Sequence, residues 1–334
     1  MKILITGGLG FIGSNFILYW HQFHPRDKIF NLDKITYAAN PQNLSHLNSS
    51  SRYTFIKGDI CHPKIVDKIV SEVDIIVHFA AESHVDRSID DPSLFIKTNV
   101  LGTHNLLHFA QKHHIKHFHH VSTDEVYGSI PLNSKKQFSE STAYNPSSPY
   151  SASKASSDHL VRAFYKTFGL PVTITNCSNN YGPFQNPEKM LPRFITNLLA
   201  DKKIPVYGRG LNLRDWLYVT DHCRAIDLVI NKGKIGETYC VGGLKGGLAN
   251  IHIIETLLKL MDKDKSLITY VADRPAHDNY AVNWSKIKKL GWQPQENLRS
   301  GLQKTVSWYR QNQNWWQASK LEAEKFYKRL NHKK

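Results

Sequence analysis

Lys2-Ile3-Leu4-Ile5-Thr6-Gly7-Gly8-Leu9-Gly10-Phe11-Ile12-Gly13 decides the reading of this chain. A short apolar run of strand character enters a turn with glycines at 7, 10 and 13, and an apolar helical pattern over Phe11–Gln22 follows. A strand that ends in such a turn and opens a helix sets free N–H groups and the positive end of the helix dipole against a phosphate. Gly7 permits the tight turn, Gly10 lets the backbone approach a pyrophosphate, and Gly13 lets helix and strand pack closely. The glycines alone are a weak pattern. They gain weight from Asp33, about 20 residues on, at the end of a second candidate strand, where a carboxylate accepts from a dinucleotide's ribose hydroxyls. That carboxylate repels a 2′-phosphate and favours NAD, while Lys34 behind it keeps NADP open. Asp59-Ile60 falls either at an adenine contact or in a plain loop turn.

Outward from this turn, candidate strands Lys2–Thr6, Ile29–Asp33, Thr54–Lys57, Ile75–Phe79, Phe118–Ser122 and Val172–Cys177 alternate with helical stretches. The helical stretches lie near Phe11–Gln22, Lys64–Val70, Leu94–Gln111 and Pro149–Phe168. Apolar residues on both strand faces predict a doubly wound parallel sheet of the α/β Rossmann type, covered by helices on each side. After about Tyr181 strands shorten to Ile204–Tyr207, Trp216–Val219 and Thr238–Val241, which predicts a smaller C-terminal substrate-binding lobe interleaved with the last sheet elements. The expected division is 1–180 for the dinucleotide domain, with later segments returning to it, and 181–320 for the lobe. Residues 321–334 read as a basic tail, helical or frayed, without a functional message.

Composition narrows the class. The chain has 334 residues with 41% hydrophobic and 21% charged content, near the globular average, which excludes disordered and fibrous classes. No apolar stretch reaches bilayer length, and the N-terminus runs straight into the glycine turn, so the expected location is the cytoplasm. Cys61, Cys177, Cys223 and Cys240 form no metal or disulfide pattern and read as reduced thiols. The net charge of +15 suits anionic ligands; nucleic acid is the competing reading, but no nucleic-acid module accompanies it. The run His113-His114-Ile115-Lys116-His117-Phe118-His119-His120 lacks ligand spacing and enters an apolar strand, so no metal site is expected.

Two later stretches carry chemistry. Tyr150-Ser151-Ala152-Ser153-Lys154 sets a phenol and an ammonium at i and i+4 on one face of a helix that Ser148 caps and Pro149 starts. The nearby Lys154 ammonium and a nicotinamide cation both favour phenolate, so Tyr150 is expected to act as the base for a hydroxyl whose carbon gives up hydride. Val121-Ser122-Thr123-Asp124-Glu125 ends a strand at the edge of the crevice, with Thr123 able to bond a sugar oxygen. Redox chemistry alone needs no carboxyl pair there. Elimination of water needs a base for a carbon-bound proton and an acid for the departing hydroxyl, which Asp124 and Glu125 can divide between them.

With these motifs in this order, the chain resembles the dTDP-glucose 4,6-dehydratases as far as about Tyr309. The most specific stretches are Ser122-Thr123-Asp124-Glu125-Val126-Tyr127-Gly128 and Cys177-Ser178-Asn179-Asn180-Tyr181-Gly182-Pro183. The resemblance implies a tightly held NAD, a homodimer through the helices near Leu94–Gln111 and Pro149–Phe168, and a three-step conversion of dTDP-glucose. Tyr150 takes the 4-hydroxyl proton during oxidation, Glu125 takes the carbon-5 proton, and Asp124 protonates the leaving 6-hydroxyl before carbon 6 is reduced. For the cofactor it implies Phe11, Ile12, Thr36, Ala80, Ala81, Ser83, Thr98 and Asn180 beside the residues already named, with Lys154 and Tyr150 at the nicotinamide end. For the substrate it implies Ser83 and Thr123 at the sugar, Asn179, Lys189 and Met190 toward the diphosphate, Pro205 and Tyr207 at the base, and Asn250 and His277 nearby. Arg214 and Arg274 suit phosphate on charge grounds, since guanidinium presents a bidentate fork.

Two stretches depart from the family pattern. Asp273-Arg274-Pro275 continues as Ala276-His277-Asp278-Asn279-Tyr280, without the usual glycine and basic residue, and 242–250 lacks the usual polar Gly-Gly-x-Asn-Glu. Both belong to the expected nucleotide lobe, which leaves thymine and uracil open. UDP-glucose dehydration and 4-epimerisation are the neighbouring readings, and a non-catalytic NAD-sensing protein is the reading from another class. The complete set Asp124, Glu125, Tyr150 and Lys154 favours the dehydratase.

Overall fold

The computed structural model describes every residue except 133, 135, 245, 274–278 and 333–334, together with the side chains of all but these and 330–332. Lys2–Thr6 (β1), Lys28–Asp33 (β2), Tyr53–Lys57 (β3), Ile75–His78 (β4), His117–Thr123 (β5) and Val172–Cys177 (β6) share one sheet with Thr238–Val241. The spatial order is Thr238–Val241, β6, β5, β4, β1, β2, β3, and each pairing is parallel. Strand order reverses between β1 and β4, where Thr6 lies beside His78. The crevice outside the carboxyl ends at such a reversal is where doubly wound sheets bind ligands.

The period of two along β1 explains the layers. Ile3 and Ile5 pack with Phe16, Ile17 and Trp20 on one face, and Leu4 packs with Ile76, Phe118 and Val172 on the other. Fully burying side chains of this size stabilises by about 1.5–3 kcal/mol each, so both faces must be covered. The helix Pro149–Phe168 is delimited as its sequence requires. Ser148 accepts from the Ser151 N–H while Ser151 accepts from the Ser148 N–H, and Gly169 ends the helix at φ 70°.

The expected helix Leu94–Gln111 is instead three pieces: Pro92–Phe95, a π-helical turn Ile96–Leu101, and Gly102–Lys112. The wide turn carries Asn99 inward, where its side chain holds both the N–H and C=O of Glu82 and the Ser153 hydroxyl. One residue thus ties the loop after β4 to the helix that bears Tyr150; such turns are frequent at functional sites.

A second core gathers Tyr181, Phe194, Ile204, Trp216, Ile253, Leu257 and Tyr309. Around it lie short pairs: Ile204–Tyr207 with Ile268–Val271, Asn179–Tyr181 with Trp216–Tyr218, and antiparallel Leu213–Arg214 with Leu248–Ala249. The last helix, Gln313–His332, runs across the expected 320/321 boundary and buries Trp316, Ala323 and Phe326. Among the described residues no helix is long and apolar enough to cross a membrane. His117 and His119 are buried in β5 and bond the Thr173 and Thr175 hydroxyls of β6.

Candidate active site

Every expected cofactor residue lines one elongated cavity of about 300 Å³ along the carboxyl ends of the strands, from Gly7, Gly10, Phe11, Ile12 and Gly13 to Asn180. A Cβ on Gly13 would stand 2.3 Å from the Gly7 carbonyl oxygen, so helix and turn close only around glycine there. At Gly10 the same atom would meet only the Gly7 oxygen, at 3.3 Å, which leaves its backbone open to the cavity. The helix Phe11–Phe23 has no acidic residue in its first turn to compete with an anion.

Asp33 is buried and accepts from the Leu9 N–H at 2.9 Å and the Ile35 N–H at 2.8 Å. Burial raises its pKa against these two donors. Ile35 holds φ 61°, a sparsely populated conformation for a β-branched residue, and in that pose its N–H meets Asp33. Lys34, at the cavity wall, pairs with Asp59 at 2.8 Å. That cation is engaged by a carboxylate, so the NADP reading loses the residue that kept it open. Thr36, Ile60, Ala80, Ala81, Ser83 and Thr98 complete this wall.

At the end of β5, Thr123, Glu125, Tyr150 and Lys154 face the same cavity. Asp124 stands just behind its surface, 1% exposed, with the Thr123 hydroxyl 3.5 Å from its Oδ1. Burial first, and then the neighbouring charges of Glu125 and Asp215, hold the Asp124 pKa well above the carboxylate range, while Arg214 opposes them. The shift favours the protonated form of Asp124 relative to an ordinary carboxyl.

The helical spacing puts Tyr150 and Lys154 on one face, but the ammonium does not act on the phenol as expected. Lys154 Nζ donates to the Val121 carbonyl at 2.9 Å and lies 3.4 Å from His120 Nε2. Burial and then the Glu125 charge push the Tyr150 pKa well up, with a hydrogen bond from Thr123 the opposing influence. Contacts with β5 thus engage the lysine, and the protein's own groups leave the lowering of the Tyr150 pKa to the nicotinamide cation.

A second cavity of about 170 Å³ joins the first at Glu125, Asn179, Asn180 and Lys189. Met190, Pro205, Tyr207, Arg214 and Asn250, the residues expected at the substrate, line it. Lys189 Nζ reaches the Ser83 carbonyl at 2.7 Å, and the Arg214 guanidinium lies over the Tyr280 ring at 4.6 Å. Asn179 and Asn250 each keep a buried side-chain oxygen without a hydrogen-bond partner among the described residues. Arg274 and His277 lie outside the described residues.

Sequence reasoning missed the joint between the cavities. Arg87 grips Glu188 with two bonds, of 2.7 and 3.0 Å, and stacks on Tyr37 at 3.8 Å and Phe326 at 4.3 Å. Tyr327 of the last helix lines the second cavity and donates to the Glu188 carbonyl at 3.0 Å. Glu188 stands in the quoted order Pro187-Glu188-Lys189, but no local pattern ties it to Arg87 or to a helix that read as an uninformative tail.

Comparison with known proteins agrees with this geometry. Residues 4–305 match the family model described as GDP-mannose 4,6 dehydratase. The dTDP-glucose 4,6-dehydratase of Shigella flexneri is 49% identical, covering 94% of each chain, and that of Mycobacterium tuberculosis is 44% identical, covering 98% of each. The crystal structure of the dTDP-glucose 4,6-dehydratase of Streptomyces venezuelae, with NAD and dTDP bound, is 46% identical and superposes with a TM-score of 0.92 over 96% of this chain and 100% of that one. A UDP-glucose 4-epimerase of Thermotoga maritima shares the fold at 28% identity and a TM-score of 0.86, covering 94% of this chain and 100% of that one. With two cavities meeting at Glu125 and relatives of this closeness over almost its whole length, the chain belongs to the dTDP-glucose 4,6-dehydratase family.

Proposed function

We propose that this chain converts dTDP-glucose to dTDP-4-keto-6-deoxyglucose with NAD held along the first cavity and the nucleotide in the second. The observation that carries the reading is the placement of the carboxyl pair: Glu125 lines both cavities, and Asp124 is buried beside it with its pKa held up by burial. The glycine turn, the acid-free helix start and Asp33 fit a dinucleotide without a 2′-phosphate. NAD supplies the oxidation at carbon 4 and the reduction at carbon 6, so none is consumed.

The protein's own groups move the protons. Tyr150, as the phenolate that a bound nicotinamide cation would favour, takes the proton of the 4-hydroxyl, assisted by Thr123, and the resulting ketone acidifies the proton on carbon 5. Glu125 removes that proton, Asp124 gives its own to the departing 6-hydroxyl, and Glu125 returns a proton to carbon 5. Per turnover Tyr150 ends with one proton more and Asp124 with one fewer. The Thr123 hydroxyl, bonded to Tyr150 and 3.5 Å from Asp124, is the short path between them. Asn179, Lys189, Arg214, Asn250 and Arg274 hold the diphosphate, and Tyr207 packs on the base.

Exposed Leu94, Ile96 and Leu101 on one helical segment and Tyr165 and Phe168 on another support a homodimer through these faces. Four unpaired thiols accord with a place in the cytoplasm, and the product is a precursor for deoxysugars.

A panel of dTDP-, UDP- and GDP-glucose tests the reading. The purified protein is expected to form the 4-keto-6-deoxy product from dTDP-glucose without added NAD. Turnover of UDP-glucose alone would overturn the base assignment, and turnover of none would overturn the reading.

A further inference from the structure

Lys154 is 5% exposed, and a charged ammonium in such a place needs compensation. Its direct contacts are both uncharged: the Val121 carbonyl at 2.9 Å and His120 Nε2 at 3.4 Å. Behind the imidazole stands a carboxylate that no catalytic step above uses. Asp158 Oδ1 lies 3.3 Å from the same His120 Nε2, and both side chains are wholly buried. Its other oxygen accepts from the Tyr144 hydroxyl at 2.7 Å and from Asn176 Nδ2 at 3.2 Å. Arg162 donates to Tyr144 at 2.7 Å and closes the cluster toward the surface.

We propose that His120 and Asp158 are positioning residues for the reaction, Asp158 being the buried counter-ion that acts across the His120 ring to keep Lys154 an ammonium at the cavity wall. The reasoning about catalysis rests on the dehydratase reading; the contacts themselves do not.

The stereochemistry of the ring makes the coupling tight. Nε2 carries at most one proton, so it accepts from Lys154 or donates to Asp158, never both. With the ring proton on Nδ1, Nε2 accepts from Lys154, and Asp158 Oδ1, which has no hydrogen bond of its own among the described residues, acts across the ring by its charge. Other groups around the lysine do not supply negative charge. Burial pushes the Cys177 thiol up to about 12, and His78, whose ring centroid lies 5.2 Å from that of His120, is held neutral by burial. Tyr150, on the same helix, stays a phenol in the bare protein. Burial and then the Lys154 charge push His120 down to about 4, so the ring is neutral at working pH. Burial alone would raise the Asp158 pKa, but His120, Lys154 and Tyr144 together hold it low and the carboxylate ionised. For Lys154, burial lowers the pKa to about 8 and Asp158 is the first influence opposing that fall.

The sign of the effect follows. Without the Asp158 charge the ammonium is harder to keep, so Lys154 loses its proton at lower pH, and any step that needs the cation fails earlier as pH rises. Carbon-13 NMR of the holoenzyme labelled at lysine Cε reads this directly, with the Lys154 resonance identified by its loss in Lys154→Met. The expected result is a Lys154 titration at least about one pH unit lower in Asp158→Asn than in the parent, restored in Asp158→Glu, with the alkaline limb of kcat/KM moving by the same amount. Should Asp158→Asn not fold, His120→Asn removes the ring that carries the contact and moves the resonance in the same direction. An unmoved titration in whichever variant folds overturns the proposal. Failure of the parent to turn over dTDP-glucose overturns the dehydratase reading instead and leaves the NMR result standing.

Discussion

Replacing Glu125 by Gln is expected to stop the reaction after its first step. Glutamine keeps the shape of the wall where the two cavities meet but cannot take the carbon-5 proton. Loss of a general base costs about 10²–10⁴-fold, so elimination falls by that factor while oxidation at carbon 4, which Tyr150 serves, changes only a few-fold. A 4-keto sugar that still carries its 6-hydroxyl then accumulates on the protein. Quenching with borodeuteride and analysing the hexoses released would reveal it. Equal slowing of oxidation and elimination, with no trapped keto sugar, would count against Glu125 as the carbon-5 base.

Tyr150→Phe produces the opposite pattern. The helix keeps its cap at Ser148 and its end at Gly169, so the backbone around residue 150 has no reason to move. What disappears is the hydroxyl that receives the 4-hydroxyl proton, and kcat/KM is expected to fall by about 10³-fold with no keto sugar trapped at any time. Retained NAD in the purified variant would show that the cavity is intact. A trapped keto sugar formed at the parent rate would show that another group takes the first proton.

Much of this architecture is legible in the sequence because its constraints are local. The glycines at 7, 10 and 13 report a backbone that a side chain would block, and the 2.3 Å approach at Gly13 is that block in atomic form. Asp33 and the pair Asp124-Glu125 were legible from their places at strand ends, which the doubly wound sheet brings to one crevice. The capped helix Pro149–Phe168 was legible from Ser148 and Pro149.

What stayed hidden depends on partners remote in sequence. Spacing alone put Tyr150 and Lys154 on one face, but the lysine's aim is decided by Val121 and His120, more than thirty positions earlier. Lys34 looked like a vote for a phosphate until Asp59 was seen to hold it. The helix near Leu94–Gln111 kept its helical pattern, while the π-turn that breaks it serves Asn99, whose partners lie at Glu82 and Ser153. The last helix carried no message on its own. Yet Trp315 donates to Asn43, which in turn holds the Leu9 carbonyl of the glycine turn, and Tyr327 stands in the wall of the second cavity. Interactions spanning hundreds of residues leave no period and no motif to read.

The central claim is that one sugar ring is oxidised at carbon 4, loses water across carbons 5 and 6, and is reduced at carbon 6 without leaving the site. dTDP-glucose carrying deuterium at carbon 4 tests it most directly. The account predicts a 4-keto product with the deuterium on carbon 6 and none released to water. Deuterium that remains on carbon 4, or that appears in the solvent, would contradict it.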